Sequence, residues 1–279
     1  MDRNTQKSMA DSFRGMHLRA MDRGGKILLL PNAWDAASAR VFEEAGFGAI
    51  ATTSAGIAFT QGYPDGQRIS REEMLAVVRR IATAVKVPVT ADVEAGYGDR
   101  PEDAARTARE VAEAGAVGMN LEDATGDPRK PLLDLALQIE RVKAVQEAAR
   151  EVVVLNARTD VYLLQLETPE TRYDAALRRL LAYRDAGADC LFVPGLQDLA
   201  TIGRLVKDLQ WPINILAGPG APAVPELAKI GVARVTVGSV AMRATLGLAR
   251  RIAVELKDSG TYGAMEGAIA YADVNRMMG

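Results

Sequence analysis

Glycine recurs in this chain at one kind of position, directly after a helical stretch and directly before a short apolar run. The four instances are Gly46, Gly115, Gly187 and Gly231. A helix often ends with a residue in the left-handed conformation, which glycine adopts without steric cost. A short apolar run that follows such a stop is typical of a buried strand. The chain is therefore expected to alternate helices with strands.

Eight apolar runs fit this alternation and are predicted to be strands. They are 27–30, 49–53, 87–91, 118–122, 152–157, 189–193, 213–217 and 234–238. Nearly continuous apolar strands that alternate with amphipathic helices, such as 71–85, indicate a parallel sheet covered by helices. Eight units in this length fit a closed (β/α)8 barrel better than an open doubly wound sheet. No Gly-x-Gly-x-x-Gly follows the first strand, which argues against a dinucleotide-binding fold.

The length suits one barrel-sized domain. We predict an α/β fold, a TIM-type barrel that spans 1–279 and whose 48% hydrophobic content supplies a large core. Residues 1–25 are expected to form a helical lead-in. Residues 242–279 are expected to form a C-terminal helical segment, with helices at 242–256 and 265–277.

Charge and cysteine content limit the partners and the compartment. Thirty-four basic residues against 36 acidic ones give a net charge of −2, so no global field attracts nucleic acid or an anionic membrane. The single cysteine, Cys190, allows no internal disulfide. No apolar run reaches 18 residues, and residues 1–25 lack the apolar core of a signal peptide. We expect a cytoplasmic protein whose partners are small molecules.

Two carboxylates stand at the end of the third predicted strand. Asp92 and Glu94 lie two residues apart, so an extended chain projects them to one side. Gly96 and Gly98 then turn the chain into a helix that Asp99 is expected to open, with Pro101 just inside it. Paired acids at a buried strand end are costly unless a cation compensates them, and hard divalent ions prefer oxygen ligands. The alternative is a loop-edge pair held by backbone N–H groups.

A barrel of this kind places its chemistry at the carboxyl ends of the strands. Asp92 and Glu94 from strand three and Glu122 from strand four are expected to converge there, facing Arg158 from strand five. A metal held by acids can chelate one end of a small di- or tricarboxylate or phosphonate, while a guanidinium pairs with the other end. The alternative for Arg158 is a structural pair with Glu122, which is compatible with substrate binding. Asp123 is expected only to cap the following turn.

From about residue 28 onward, motifs at nearly every strand end resemble those of the isocitrate lyase/phosphoenolpyruvate mutase superfamily. They are Pro31-Asn32-Ala33-Trp34-Asp35, Asp65, Asp92-x-Glu94-x-Gly96-Tyr97-Gly98, Glu122-Asp123, Ala157-Arg158-Thr159-Asp160 and Asn214-x-x-Ala217-Gly218-Pro219. The resemblance implies a barrel enzyme. Members of the superfamily include C–C lyases, decarboxylases, and phosphonate mutases and hydrolases.

The resemblance also implies roles for individual acids. It implies a Mg2+ ion, with Mn2+ as an alternative, bound directly or through water by Asp92, Glu94 and Glu122. Asp65 matches an acid on the second loop that completes the metal or substrate shell, and Arg158 matches the arginine of the catalytic site. The shared chemistry is an enolate of a pyruvate unit, whose developing charge the metal and the arginine stabilise.

Further roles concern the substrate. Thr53, Ser54 and Ala55 fall where backbone amides of the superfamily hold the substrate carboxylate. Asn214 matches a polar residue on strand seven. These positions imply that the bound molecule is a small carboxylate.

The segment 124–131 departs from the superfamily pattern. Lyases that resemble isocitrate or methylisocitrate lyase carry a Lys-x-Cys-Gly-type loop there, whose cysteine is the general acid. Members of the mutase and phosphonopyruvate hydrolase types carry an asparagine in a longer loop. This segment contains neither residue, and Cys190 lies in a predicted buried strand. The proton donor is then water or Tyr97.

The favoured hypothesis is a Mg2+-dependent lyase for a small 2-oxo or 2-hydroxy di- or tricarboxylate. It would cleave a C–C bond or decarboxylate through a metal-stabilised enolpyruvate-type intermediate. One alternative is a P–C bond mutase or hydrolase of the phosphonopyruvate type. The alternative from another class is a non-catalytic barrel that binds carboxylates.

The C-terminal helices are relevant to the oligomeric state of the protein. Barrels of the resembled superfamily exchange a C-terminal helix between subunits, so the resemblance implies exchange here and a homodimer or homotetramer. The alternative is an ordinary helix that caps its own barrel.

Overall fold

The computed structural model describes residues 2–22 and 25–279, in which nine short strands form a single parallel sheet. The strands are β1 (Leu28–Leu30), β2 (Asn32–Ala33), β3 (Ile50–Thr52), β4 (Val89–Ala91), β5 (Gly118–Glu122), β6 (Val154–Arg158), β7 (Cys190–Phe192), β8 (Ile213–Leu216) and β9 (Arg234–Thr236). β1 pairs with β9 and β2 pairs with β3, and only Pro31 separates β1 from β2. Because proline has no N–H to donate to the ladder, it interrupts one strand, and the two halves close an eight-stranded barrel. The predicted α/β TIM-type barrel is confirmed.

Eleven helices accompany the strands within the same described residues. They are α1 (Arg3–Met21), α2 (Ala36–Glu44), α3 (Ser54–Thr60), α4 (Arg71–Ala84), α5 (Pro101–Glu113), α6 (Leu135–Ala149), α7 (Pro169–Asp185), α8 (Leu199–Leu209), α9 (Val224–Lys229), α10 (Val240–Asp258) and α11 (Tyr271–Met278). The four glycines that predicted the alternation have φ between 88° and 104°. Each therefore adopts the left-handed conformation that ends the preceding helix.

The main core lies between the barrel and its helices, and a smaller cluster fills one end of the barrel. In that smaller cluster Phe13 of α1 packs with Leu30, Val117 and Val154, which lie in or next to β1, β5 and β6. His17 packs against the same cluster. The centroid of its ring lies 4.7 Å from that of the Phe13 ring, in a T-shaped arrangement. α1 therefore seals the amino-terminal end of the barrel and leaves the carboxyl end for chemistry.

Two sequence predictions about helix starts are wrong. The helix expected to open at Asp99 does have Pro101 just inside its start, but its N-cap residue is Arg100 instead of Asp99. The helix predicted at 265–277 begins only at Tyr271, and Gly263–Met265 forms a 3-10 turn instead. Gly267 explains the second difference, because its φ of 82° is incompatible with a continuous right-handed helix.

The C-terminal segment carries many exposed apolar side chains. They include Leu246, Leu248, Val254, Leu256, Tyr262, Met265, Ile269, Tyr271, Val274 and Met278. α11 lies against α2 of the same chain, where Arg276 comes within 3.5 Å of Glu44. Exposed apolar side chains that are grouped on one segment are typical of interaction surfaces. The exchange of these helices between subunits stays a prediction.

No helix in the described parts of the chain is both long enough and apolar enough to cross a bilayer.

Candidate active site

A ladder of side-chain amides runs across three neighbouring strands beneath the carboxyl end of the barrel. Asn156 of β6 donates to Asn120 of β5 at 2.7 Å. Asn120 in turn donates to Asp92 Oδ1 at 3.3 Å. The ladder fixes Asp92 from below. Sequence reasoning missed Asn120, although a polar residue inside an otherwise apolar buried strand is a signal that could have found it.

Asp92 is also held from the side by the start of α3. The main-chain N–H and the hydroxyl of Ser54 donate to Asp92 Oδ2 at 3.1 and 3.0 Å. The Ser54 hydroxyl also lies 3.5 Å from Asp65 Oδ1. Ser54 therefore bridges two of the predicted site acids. Its amide, expected to hold a substrate carboxylate, is engaged by Asp92 in this conformation.

Glu94 lies just beyond β4 and is 4% exposed. Its Oε2 accepts from the main-chain N–H of Gln67 at 2.7 Å. Its Oε1 is buried without a hydrogen-bond partner among the described residues. Burial, followed by repulsion from Asp65 and Asp92, raises the pKa of Glu94 to about 7. Burial and the charge of Asp92 likewise raise the pKa of Asp65. The site thus brings carboxylates together, and the side chains around them do not fully neutralise their negative charge.

Arg158 sits opposite these acids between two further carboxylates. Its Nη1 lies 2.6 Å from Glu122 Oε2 and its Nε lies 2.6 Å from Asp160 Oδ1. The guanidinium also stacks over the ring of Phe192, 5.7 Å from its centroid. Burial lowers the pKa of Arg158, but Glu122 and Asp160 outweigh it and raise the pKa above its ordinary value. The structural pair with Glu122 is present, and it leaves Arg158 charged at the barrel mouth.

Asp123 has a larger structural role than the predicted cap of the following turn. Its fully buried carboxylate accepts from Thr159 Oγ1 at 2.7 Å and from the main-chain N–H of Asp160 at 2.9 Å. Tyr183 and Arg179 of α7 donate to it as well, at 2.7 and 3.1 Å. Asp123 thereby ties β5 to the loop that carries Asp160. No local motif signals the two α7 residues, because their contact depends on the tertiary packing of α7.

The remaining predicted site residues occupy varied positions. Thr53 caps α3, with its hydroxyl accepting from the Gly56 N–H at 3.3 Å, and Ala55 follows in the first turn. Asn214 is fully buried inside the barrel, where its Oδ1 accepts from Thr236 at 3.3 Å. The Tyr97 hydroxyl is buried without a partner in the described structure, and burial and Glu94 raise its pKa. Tyr97 therefore keeps its proton.

Comparison with known proteins decides the family. The model of the family described as phosphoenolpyruvate phosphomutase matches residues 18–257. The chain belongs to this family. A solved structure from Burkholderia cenocepacia J2315 is 40% identical and has a TM-score of 0.90, covering 98% of this chain and 96% of that chain. The 2-methylisocitrate lyase of Salmonella typhimurium is 30% identical over 84% of this chain and 81% of its own length. The oxaloacetate decarboxylase of Rhodopseudomonas palustris is 30% identical over 72% and 70%.

The acids of this phosphoenolpyruvate phosphomutase family member fit a hard divalent cation. Within 2–22 and 25–279 no three acidic, histidine or cysteine side chains are already arranged around one metal position. The donor set is nevertheless all oxygen, and the buried Glu94 Oε1 lacks any partner among those residues. Oxygen donors and excess negative charge are what Mg2+ requires. Asp65, Asp92 and Glu94 therefore suit the ion, whereas Glu122 is held by Arg158.

Segment 124–131, where the resemblance implies a catalytic loop, is a short turn whose side chains bond to one another and to nearby residues. Ala124 and Leu132 form an isolated antiparallel bridge, and Arg129 pairs with Asp127 at 3.0 Å. Lys130 pairs with Asp134 at 2.8 Å. These basic side chains therefore point to exposed partners, and neither folds over the acids in this conformation.

Two cavities differ in what surrounds them. One of about 610 Å3 lies beside the carboxyl ends of β7 and β8, lined by Leu163, Gln197, Leu216, Val240 and Arg243 among others. Another of about 660 Å3 lies near the amino-terminal ends of the strands, lined by Met16, Lys26, Leu29 and Phe47 among others. The predicted site acids lie at the carboxyl ends of the strands, as the first of these cavities does. Chemistry, rather than volume, therefore selects the mouth at the carboxyl ends as the candidate active site.

Proposed function

We propose that this protein is a Mg2+-dependent lyase that acts on a small 2-oxo or 2-hydroxy di- or tricarboxylate, by C–C cleavage or decarboxylation. The observation that carries the proposal is the crowding of Asp65, Asp92 and Glu94 opposite a charged Arg158. Members of the superfamily include lyases and decarboxylases, which is consistent with this chemistry.

Each side of the site has a distinct task in this proposal. When bound, Mg2+ polarises the 2-oxo group and offsets the negative charge that develops on its oxygen. Asp65, Asp92 and Glu94 hold the ion, and Ser54 keeps the first two carboxylates together. Arg158 pairs with the carboxylate of the pyruvyl unit or with the charge that develops beside it. Because Glu122 and Asp160 fix two of its nitrogens, the guanidinium is oriented before substrate arrives.

The proton donor is constrained by what the chain places nearby. Cys190 is fully buried in β7, where burial raises its thiol pKa to about 12. It therefore cannot replace the loop cysteine of methylisocitrate lyase-like enzymes. Tyr97 keeps its proton beside Glu94 and is a candidate donor, as is water. Decarboxylation needs the fewest catalytic groups at such a site, because the only proton transfer required is to the carbanion that remains after CO2 leaves. We therefore favour oxaloacetate as the first substrate to test.

A cavity lies at the same end of the barrel as the metal acids, although none of these acids lines it. The cavity of about 610 Å3 borders the same barrel mouth and combines apolar walls with Arg243 at its edge.

Product release from a panel of candidate substrates tests the proposal. Oxaloacetate, methylisocitrate, dimethylmalate and phosphonopyruvate are each incubated with the protein, with Mg2+, Mn2+ or a chelator. If one of the first three compounds releases pyruvate or a homologue of pyruvate, and the release depends on the metal, the result supports a lyase. Phosphate from phosphonopyruvate alone would favour the P–C hydrolase alternative. Metal-dependent oxalate binding without turnover of any compound would favour the carboxylate-binding barrel.

A further inference from the structure

Gln67 bonds two parts of the loop that follows β4. Its main-chain N–H donates to Glu94 Oε2 at 2.7 Å. Its side-chain Oε1 accepts from the main-chain N–H of Tyr97, also at 2.7 Å. Gln67 itself lies in the loop between α3 and α4, two residues after Asp65. One residue therefore connects the loop that carries Asp65 with the loop that carries Glu94.

The three residues joined by these bonds share an unusual backbone conformation. Gln67, Glu94 and Tyr97 have φ of 56°, 53° and 58°. They are three of the six non-glycine residues with positive φ in the described chain. Such conformations persist only where surrounding contacts enforce them, and they concentrate at functional sites. Their hydrogen-bonded association indicates that the two loops stabilise one another's strained backbone.

The loop after β4 is held independently from its other side. Arg141 of α6 donates to the carbonyl oxygens of Ala95 and Gly98, and Thr107 of α5 donates to that of Gly96 at 2.7 Å. These bonds attach the loop to the helices outside the barrel. Gln67 supplies contacts on the side that faces Asp65. The position of Glu94 relative to Asp65 therefore depends on Gln67 in particular.

We propose that Gln67 is a positioning residue that sets the spacing of the two loops, so that Asp65 and Glu94 face the same divalent cation. The inference rests on the proposed function, because it assigns Gln67 to the same metal site. By binding Oε2, the Gln67 N–H orients the Glu94 carboxylate and leaves Oε1 for the ion. The side-chain bond to Tyr97 keeps that N–H in place. Groups that orient metal ligands typically change metal affinity by about 10- to 100-fold when removed.

Three substitutions separate the hydrogen bond from the backbone strain. Gln67→Ala removes the acceptor for the Tyr97 N–H and keeps the strain. Gln67→Gly removes the acceptor but relieves the strain, because glycine tolerates positive φ. Gln67→Glu keeps an acceptor at the same reach. Gln61→Ala is the matched control, since Gln61 is an exposed residue of the same loop whose side chain bonds only the neighbouring Thr60 among the described residues.

The measurement is the rise of the melting temperature with Mg2+ alone, fitted for an apparent dissociation constant, beside the melting temperature in chelator. We expect Gln67→Ala and Gln67→Gly to weaken Mg2+ binding by about tenfold or more. Gln67→Glu should bind more tightly than either of them, and Gln61→Ala should match wild type. In chelator, Gln67→Gly should be at least as stable as Gln67→Ala, so weaker binding by Gln67→Gly cannot be assigned to backbone strain.

The outcomes distinguish this inference from the function on which it rests. A wild-type protein with no response to Mg2+ would contradict the proposed function itself. A normal wild-type response that Gln67→Ala and Gln67→Gly retain would overturn the positioning role and leave the function standing. Gln67→Glu binding as weakly as Gln67→Ala would also overturn it, because the acceptor would then not be the relevant group.

Discussion

Arg158 Nη1 and Glu122 Oε2 lie 2.6 Å apart at the ends of neighbouring strands, where the two residues are also register partners of the parallel ladder. The side chains are only 15% and 12% exposed. Asp160 contacts the same guanidinium at 2.6 Å, so the arginine is shared between two buried carboxylates. This arrangement gives Arg158 a structural partner and at the same time fixes its orientation toward the barrel mouth.

Substitutions of Arg158 should therefore affect both turnover and stability, but in different proportions. Arg158→Lys keeps the charge and loses the planar fork, so we expect a loss of about 1.5–3 kcal/mol in transition-state stabilisation, or roughly 10- to 150-fold in kcat/KM. Arg158→Ala strands two carboxylates and should lower the free energy of unfolding by about 3–5 kcal/mol. Steady-state kinetics beside urea denaturation measures both. Unchanged turnover per folded molecule of Arg158→Lys would exclude a substrate contact.

Asp92→Asn should abolish the stabilisation by Mg2+ while preserving the fold. The amide is isosteric, and its oxygen can still accept from Ser54. Its NH2 group then faces the NH2 group of Asn120, so the hydrogen bond from Asn120 is lost. Removal of a charge that repels Asp65 and Glu94 offsets this loss. We expect the melting temperature in chelator to stay close to that of wild type, and the Mg2+-dependent rise to disappear. Asp127→Asn is a suitable control, because Asp127 is an acid of the outer turn that pairs with Arg129. Retention of the Mg2+ response by Asp92→Asn would remove Asp92 from the metal site.

The raised pKa of Glu94 predicts an unusual pH dependence of the metal-free protein. The folded pKa of about 7 lies above the ordinary value of 4.5. Between these values the native state binds more protons than the unfolded chain, so stability should fall as pH rises from about 4.5 to about 7. The fall in stability over this interval amounts to about 3–4 kcal/mol at most. Mg2+ competes with the proton, and its stabilising effect should grow over the same interval.

Denaturation curves at several pH values, in chelator and in Mg2+, check this prediction. Glu94→Gln should flatten the decline in chelator by removing the titrating group. Metal-free stability that rises toward pH 7 in wild type to the same extent as in Glu94→Gln would contradict the assignment.

The exposed apolar side chains of the C-terminal segment predict a homodimer or homotetramer. Leu248, Val254 and Leu256 of α10 and Tyr271 of α11 are each at least 40% exposed in the single chain. Light scattering at micromolar concentration should give a multiple of the 29.8 kDa chain mass. Replacing Val254 and Leu256 with aspartate should shift the protein toward monomer. A monomeric wild-type protein would count heavily against helix exchange.

Local patterns predicted the elements of the fold well, because each rule acts over a few residues. The strand predicted at 118–122 matches β5, and the helix predicted at 71–85 differs from α4 by one residue. Several other strands are shorter than their apolar runs, since residues such as Val193 and Val237 lie beyond the carboxyl end of the strand. Because the chain stays apolar beyond the last hydrogen bond of the ladder, hydrophobicity does not show where a strand ends.

The candidate site was predictable only in part. Alternation along a strand and the rule of carboxyl ends place Asp92, Glu122 and Arg158 at one mouth. The roles of Gln67 and Arg179 follow from contacts between segments 27 and 56 residues apart in sequence, and no local spacing encodes them. The engagement of the Ser54 amide by Asp92 depends likewise on how α3 approaches β4.

The most direct test of the central claim is the Mg2+ dependence of product release by wild type and by Asp92→Asn, using the substrate of the panel that wild type turns over fastest. The rate without protein is subtracted at every Mg2+ concentration. The account predicts a wild-type rate that saturates with Mg2+ and vanishes in chelator, and an Asp92→Asn rate reduced by about 100-fold or more. A wild-type rate unaffected by chelator, or an Asp92→Asn enzyme with the wild-type Mg2+ response, would contradict it.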